Sequence, residues 1–162
     1  MATRRRHSIA ATRAIGEWAQ AEISFDEFVE ECLDVLDETF GFDTAYAARC
    51  EPGAAIIAKG SNDTEPVRRT LRYASTRYAS VMQPVFERSA RFGVVMDWAV
   101  SHSQRVRNSC IYPREVRAPT GVRSMLQLCA RWRGRSLLRI NLNRHGLHAR
   151  PFQSSDREAA QA

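Results

Sequence analysis

Between Pro119 and Phe152 the chain alternates. Val122, Ser124, Leu126, Leu128, Ala130 and Trp132 share one parity; Arg123, Gln127 and Arg131 take the other, together with Met125 and Cys129. A period of two is the mark of a half-buried β-strand. After Arg133-Gly134-Arg135 the alternation resumes, with Leu138, Ile140 and Leu142 set against Arg139, Asn141 and Asn143. Two such runs around a short glycine-containing connection predict an antiparallel hairpin.

The remaining elements are read the same way. Ile9, Thr12, Ile15 and Trp18 outline one face of a short helix behind a basic leader at residues 1–7. A second helix is predicted from Phe25 to Phe40. Ser24 and Glu27 form a capping-box pair, and Phe25, Phe28, Val29, Cys32, Leu33, Val35, Leu36 and Phe40 recur at helical spacing. Gly41 suits the left-handed stop. Phe42 to Cys50 fits a strand, Glu51-Pro52-Gly53 a turn, and Ala54 to Lys59 a returning strand. Thr64 and Pro66 open a third helix through Val67, Leu71, Ala74, Tyr78 and Val81, and Pro84 interrupts that helix or begins another that carries Val85, Phe86 and Ala90. Val94-Val95-Met96 is a short apolar run. The pattern fades from Val100 to Pro119, where an irregular connection and a turn of helix near Arg105 to Tyr112 fit equally well. Ser155 and Glu158 offer a cap for a last helix. Strands joined by hairpins, with helices at the ends and middle, make an α+β layout with an antiparallel sheet.

Bulk properties narrow the class. The 162 residues suit one domain with a real core. The net charge is +6, yet Lys59 is the only lysine and the arginines run from Arg4 to Arg157. That spread fits a GC-rich coding composition better than a nucleic-acid groove binder, which gathers its arginines on one element. The four cysteines, Cys32, Cys50, Cys110 and Cys129, form no C-x-x-C pair and have no histidine at metal-ligand spacing. They read as buried thiols in a reducing cytoplasm. No apolar run nears the ~18 residues of a membrane span, and MATRRRHS has no signal-peptide core behind it. A cytoplasmic protein is expected, with no membrane partner.

The second half resembles a known family. Gln83-Pro84-Val85-Phe86, Gly93-Val94-Val95-Met96-Asp97, Arg107-Asn108-Ser109-Cys110-Ile111-Tyr112 and Pro119-Thr120-Gly121-Val122-Arg123 occur in that order. Asn143-Arg144 then closes the hairpin, and Pro151-Phe152-Gln153-Ser154-Ser155-Asp156 follows. This order is similar to the GAF-like sensor region that precedes a LuxR-type helix-turn-helix domain in many bacterial transcriptional regulators. Gln153 stands where that family often has serine, which implies a cap shifted to Ser154 or Ser155. The resemblance implies one GAF-like domain over residues 8–162 with a truncated final helix. It implies a central antiparallel sheet of about five to six strands flanked by helices. It also implies a regulatory, ligand-sensing or dimerising module rather than an enzyme, taking a small-molecule effector, forming a homodimer through its terminal helices and using no cofactor. The chain has no recognition helix, so direct nucleic-acid contact is not expected.

By the same resemblance, a pocket beside the sheet would be walled by Tyr46, Trp98, Tyr112, Met125, Gln127 and Cys129, with Arg107 as an anion anchor. An apolar cavity with a few orienting polar groups is the physical logic. The plainer reading of Tyr46, Trp98 and Met125 is core packing, and of Arg107 a pairing with a carboxylate. Some GAF relatives reduce methionine sulfoxide, so Cys50, Cys110 and Cys129 raise a thiol-enzyme alternative, which needs an exposed thiol of depressed pKa. A hydrolase is weaker, since His102, His145 and His148 lie outside any G-x-S-x-G elbow. His145 and His148 lack a third metal ligand, and Asp97 more often caps a turn.

Overall fold

Ser24 starts the helix that anchors one side of the molecule. This computed structural model describes residues 13–14, 16–17, 20, 22–51, 56–60, 87–88, 91, 93–96 and 121–161. Helix α1 spans Phe25–Phe40. The Glu27 N–H donates to Ser24 Oγ at 3.2 Å, and the Ser24 N–H donates to Glu27 Oε2 at 2.8 Å. The capping box expected from S-x-x-E is therefore formed, and two free N–H groups of the first turn are satisfied. The bond from the Ser24 backbone, helped by its hydroxyl, holds the Glu27 carboxyl below its ordinary value of 4.5. Gly41 closes the helix at φ 64°, its N–H on the Asp37 carbonyl at 2.7 Å. Val29, Cys32, Leu33 and Leu36 are buried, while Asp26, Glu30, Glu31, Asp34, Asp37 and Glu38 face water.

The cap yields a direct test. Ser24→Ala should lower stability by about 1 kcal/mol in urea unfolding. The Glu27 half of the box depends on pH with a definite sign. A lowered folded-state pKa contributes stability that is present above the unfolded value of 4.5 and is lost as pH falls through the folded value. Alanine keeps the backbone N–H and loses the hydroxyl, so the hydroxyl's part of the gap between Ser24→Ala and the parent chain should narrow as pH falls below 4.5.

Five described strands follow: β1 (Thr44–Arg49), β2 (Ile56–Gly60), β3 (Val94–Met96), β4 (Val122–Trp132) and β5 (Arg135–His145). They form one sheet in the order β2-β1-β5-β4-β3, with every neighbouring pair antiparallel. The predicted hairpin is β4–β5, and it lies in the middle of the sheet. Arg133 and Gly134 turn it with φ of 47° and 80°. Positive φ at both central residues is what a two-residue turn of matching twist requires. At the β2 edge, Gly60 is fixed by close approach. A Cβ there would lie 2.6 Å from the Asp43 carbonyl oxygen and 2.8 Å from Thr44 Cα.

One side of the sheet carries the apolar parity. Ala45, Ala47, Val94, Leu126, Leu138, Ile140 and Leu142 pack with Val29, Leu33 and Leu36 of α1 and with Phe152. Lys59 pairs with Asp34, tying β2 to α1. Arg49 stacks 4.0 Å over the Phe25 ring.

The hairpin exit is tied down by one side chain. The Arg144 guanidinium donates to Gly41 O at 2.9 Å, to Arg150 O at 2.9 Å and to Phe40 O, and it stacks 4.0 Å over the Phe152 ring. A planar fork of donors is suited to several carbonyls at once. The Phe152 N–H donates to Ser124 Oγ at 3.0 Å. Helix α2 then runs Ser154–Gln161. The expected shift of its cap to Ser154 or Ser155 is corrected. Gln153 is the capping position, because buried Asp156 accepts its N–H at 2.7 Å. A carboxylate three residues into the helix supplies the capping bond that a Gln153 side chain lacks.

The α+β class and antiparallel sheet stand as expected. The observed strands start or end within a few residues of the predicted bounds. The helices expected after Thr64 and Pro84 and the connection from Val100 to Pro119 fall largely outside the described residues. Of the first expected helix, Arg13 and Glu17 are described and pair at 2.8 Å.

Candidate functional site

The other side of the sheet carries the polar parity. Directly opposed residues of antiparallel strands lie on one face with their Cβ atoms about 5 Å apart. Three rungs cross β1, β5 and β4 on this face. Thr44, Asn143 and Met125 form the first; Tyr46, Asn141 and Gln127 the second; Ala48, Arg139 and Cys129 the third. Alternation predicts that such a face is wet. The structure makes it dry: Gln127 and Asn143 are 0% exposed, Thr44 and Asn141 1%. Both faces of the central hairpin are buried, so the half-buried reading of β4 and β5 is revised.

Buried polar side chains normally have hydrogen-bond partners, because each one left without costs about 1–3 kcal/mol. Here, among the described residues, Asn143 has none on either its carboxamide oxygen or its nitrogen, and Asn141 has none on its oxygen. The backbones of both are paired within the sheet. At the end of the row, Thr44 Oγ1 meets His145 Nε2 at 2.7 Å, and the His145 N–H donates to Asp43 Oδ2 at 2.7 Å.

Of the pocket residues expected from sequence, Tyr46, Met125, Gln127 and Cys129 are brought to this one face. Trp98, Arg107 and Tyr112 lie outside the described residues. Asn141 and Asn143 were missed. Their signal was present in the sequence, since asparagine is depleted in strands and two at i, i+2 in a strand demand a reason.

Two thiols, Cys32 and Cys50, are quiet. Burial pushes Cys32 up to about 11, with Glu31 adding to the rise. Burial also raises Cys50; Arg139 pulls it back in part, and Cys129 pushes it further up. Thiolate is the reactive form, so a raised pKa suppresses nucleophilicity at neutral pH. Cys32 and Cys50 should react with a disulfide reagent at pH 7 well below the rate of a free thiol, and reach it only on unfolding. The raised folded-state value also means that stability is full below pH 9 and falls as pH rises from 9 to about 11.

A groove of about 1440 Å³ opens beside α1, lined by Phe25, Phe28, Leu36, Val94, Leu128 and Ile140 and also by Cys129 and Arg139 of the third rung. Its wall is mostly apolar, and Arg49, Glu51, Arg135, Ser136 and Arg139 bring polar groups to it. Selectivity for a small molecule needs such groups, and both this groove and the polar row have them. Among the described residues no group of three or more His, Cys, Asp or Glu could hold a metal ion, and no described helix is long and apolar enough to cross a membrane.

No family model matches the sequence, and no curated protein does. Solved structures do match by shape. The nlh2 GAF domain of A. aeolicus, in an inactive state, superposes with a TM-score of 0.52 at 15% identity, covering 98% of this chain and 89% of its own. The VqsR LBD domain from Pseudomonas aeruginosa superposes at 0.53 and 14%, covering 85% and 79%. Escherichia coli SdiA gives 0.50 at 11%, covering 85% of this chain and 56% of its own. At these identities the likeness is one of fold, and the chain has a GAF-like fold.

Proposed function

We propose that this domain is a cytoplasmic regulatory module of a bacterial transcriptional regulator, which senses a small molecule on the polar face of its sheet and does not act as an enzyme. The observation that carries the reading is the row Thr44, Asn143, Asn141 and Gln127, sealed from water, in which carboxamide atoms of Asn143 and Asn141 have no partner among the described residues. A catalytic site needs a poised acid, base or nucleophile, and the raised Cys32 and Cys50 thiols speak against a thiol enzyme.

A bound molecule would act by favouring one arrangement of the hairpin over another. Asn143 neighbours Arg144, which holds the end of α1 and the approach to α2. Ser124, next to Met125 of the first rung, holds Phe152. A shift of the β4–β5 hairpin therefore pulls on both helices. The family resemblance supports pairing of two copies through the terminal helices.

A thermal-unfolding screen of the full chain against a broad metabolite set tests the reading. At least one compound should raise Tm, because a ligand held only by the folded state at 100 times its Kd adds about 2.7 kcal/mol. If none does, the sensing role fails. Sedimentation with and without the hit tests the pairing. A fast-reacting cysteine at neutral pH would favour the enzyme reading instead.

A further inference from the structure

We propose that Cys50 and Cys129 form a two-coordinate site for a soft monovalent metal ion of the cuprous type, held between their two thiolates at the wall of the groove. The inference goes beyond the sensing reading and does not rest on it.

The register brings the two thiols together from strands that are not neighbours. Cys129 lies on the third rung of the polar face with Ala48 and Arg139. Cys50 follows Ala48 by two positions. Its N–H donates to the Leu137 carbonyl at 2.9 Å, so pairing with β5 carries on past the end of β1. Side chains two apart on an extended strand share a face, which puts Cys50 beside the third rung. The side chains meet across β5, where the Cys129 thiol acts on Cys50 both through its charge and through a side-chain hydrogen bond. The Cys129 S–H itself donates to the Ala130 carbonyl at 3.9 Å, which leaves its sulfur lone pairs as acceptors. Both residues line the groove, Cys50 half-buried and Cys129 7% exposed, so an ion has a way in.

The number, softness and charge of the ligands select the ion. Among the described residues no third His, Cys, Asp or Glu joins the pair, whereas zinc takes three or four protein ligands. Two soft sulfurs suit a closed-shell monovalent ion such as Cu⁺, which takes two thiolates in line. Binding replaces both S–H protons: two thiols and one M⁺ give an S–M–S unit of charge −1 and two H⁺. A buried anion needs a counter-charge. Arg139 stands opposite Cys129 on the rung and acts on Cys50 by its charge. The described residues of the groove wall set Arg49, Arg135 and Arg139 against one acid, Glu51. A divalent ion such as Hg²⁺ makes a neutral unit and gains little from these guanidiniums.

The test titrates the reduced full chain with Cu⁺, without oxygen and in competition with bicinchoninate, and uses Hg²⁺ as the divalent probe. One Cu⁺ should bind per chain, and X-ray absorption should show two sulfur neighbours. Two protons should leave per ion, so apparent affinity should rise about a hundredfold per pH unit near neutrality. Cys50→Ser and Cys129→Ser should each weaken Cu⁺ by more than the roughly hundredfold that loss of an outer-shell partner can cost. Cys129→Ala replaces the serine variant if that does not fold, and the half-buried Cys50→Ser decides alone if neither does. Cys32→Ala and Cys110→Ala should bind as the parent does. Arg139→Gln should weaken Cu⁺ about tenfold more than Hg²⁺.

The proposal is overturned if Cys50→Ser or a folded Cys129 variant keeps the parent's affinity, or if loss of Cys32 or Cys110 costs as much. It is also overturned if the ion has three or four protein ligands, if a single proton leaves, or if Arg139→Gln weakens both ions equally. A metabolite screen without a hit leaves this site standing, and failure of the copper titration leaves the sensing reading standing.

Discussion

Phe152→Ala should lower the unfolding free energy by about 3–5 kcal/mol, the cost of emptying a fully enclosed aromatic site. Phe152 is 2% exposed and packs in the same core as Leu33, Leu126 and Leu142. Its backbone N–H is bonded to Ser124, and its ring lies under the Arg144 guanidinium. The site cannot collapse easily, because the sheet on one side and Arg144 on the other are each held by separate bonds. Tm should drop by roughly 10 °C. Urea unfolding should show the loss in the midpoint with an unchanged slope. A loss under about 1 kcal/mol would mean that Phe152 does not close the core.

Arg144→Lys should cost about 2–3 kcal/mol although the charge is kept. The guanidinium spreads over three carbonyls, those of Phe40, Gly41 and Arg150, from two separate stretches of chain. An ammonium is a point charge and can reach one or two of them at best. It also loses the flat stack on Phe152. The effects of Phe152→Ala and Arg144→Lys should not add, because the residues touch. A coupling of about 0.5–3 kcal/mol is expected in the double mutant. On the sensing reading, Arg144→Lys should keep the ligand-induced rise in Tm. It should weaken the ligand's effect on hydrogen exchange in residues 154–161, because that effect has to pass through the hairpin exit. Full retention would place the transmission elsewhere.

Much of the fold was legible along the chain. The Ser24–Glu27 box and the eight apolar positions behind it placed α1 to the residue, because capping and helical spacing are local. The hairpin was legible because the period of two and the Arg133-Gly134 turn are local as well. The last cap was misread. Asp156 takes the role by reaching back to Gln153, a choice made by its burial rather than by residue type alone. The candidate site was legible only in half. Tyr46, Met125, Gln127 and Cys129 fall together because the register of β1, β5 and β4 brings them to one face, and register is a long-range quantity.

By itself, then, the sequence determined the elements, the antiparallel pairing of the hairpin and which residues share a parity. These follow from interactions within a few residues or between adjacent strands. It could not say which parity would be dry. Asn141, Asn143 and Gln127 look like a solvated face on a strand read alone, and alternation carries no information about what covers a sheet from outside. Only the tertiary structure puts the hairpin at the centre of five strands and encloses it on both sides. That enclosure turns an ordinary polar stripe into a buried row in which the Asn141 and Asn143 carboxamides are in need of a partner, which is the physical basis of the proposed site.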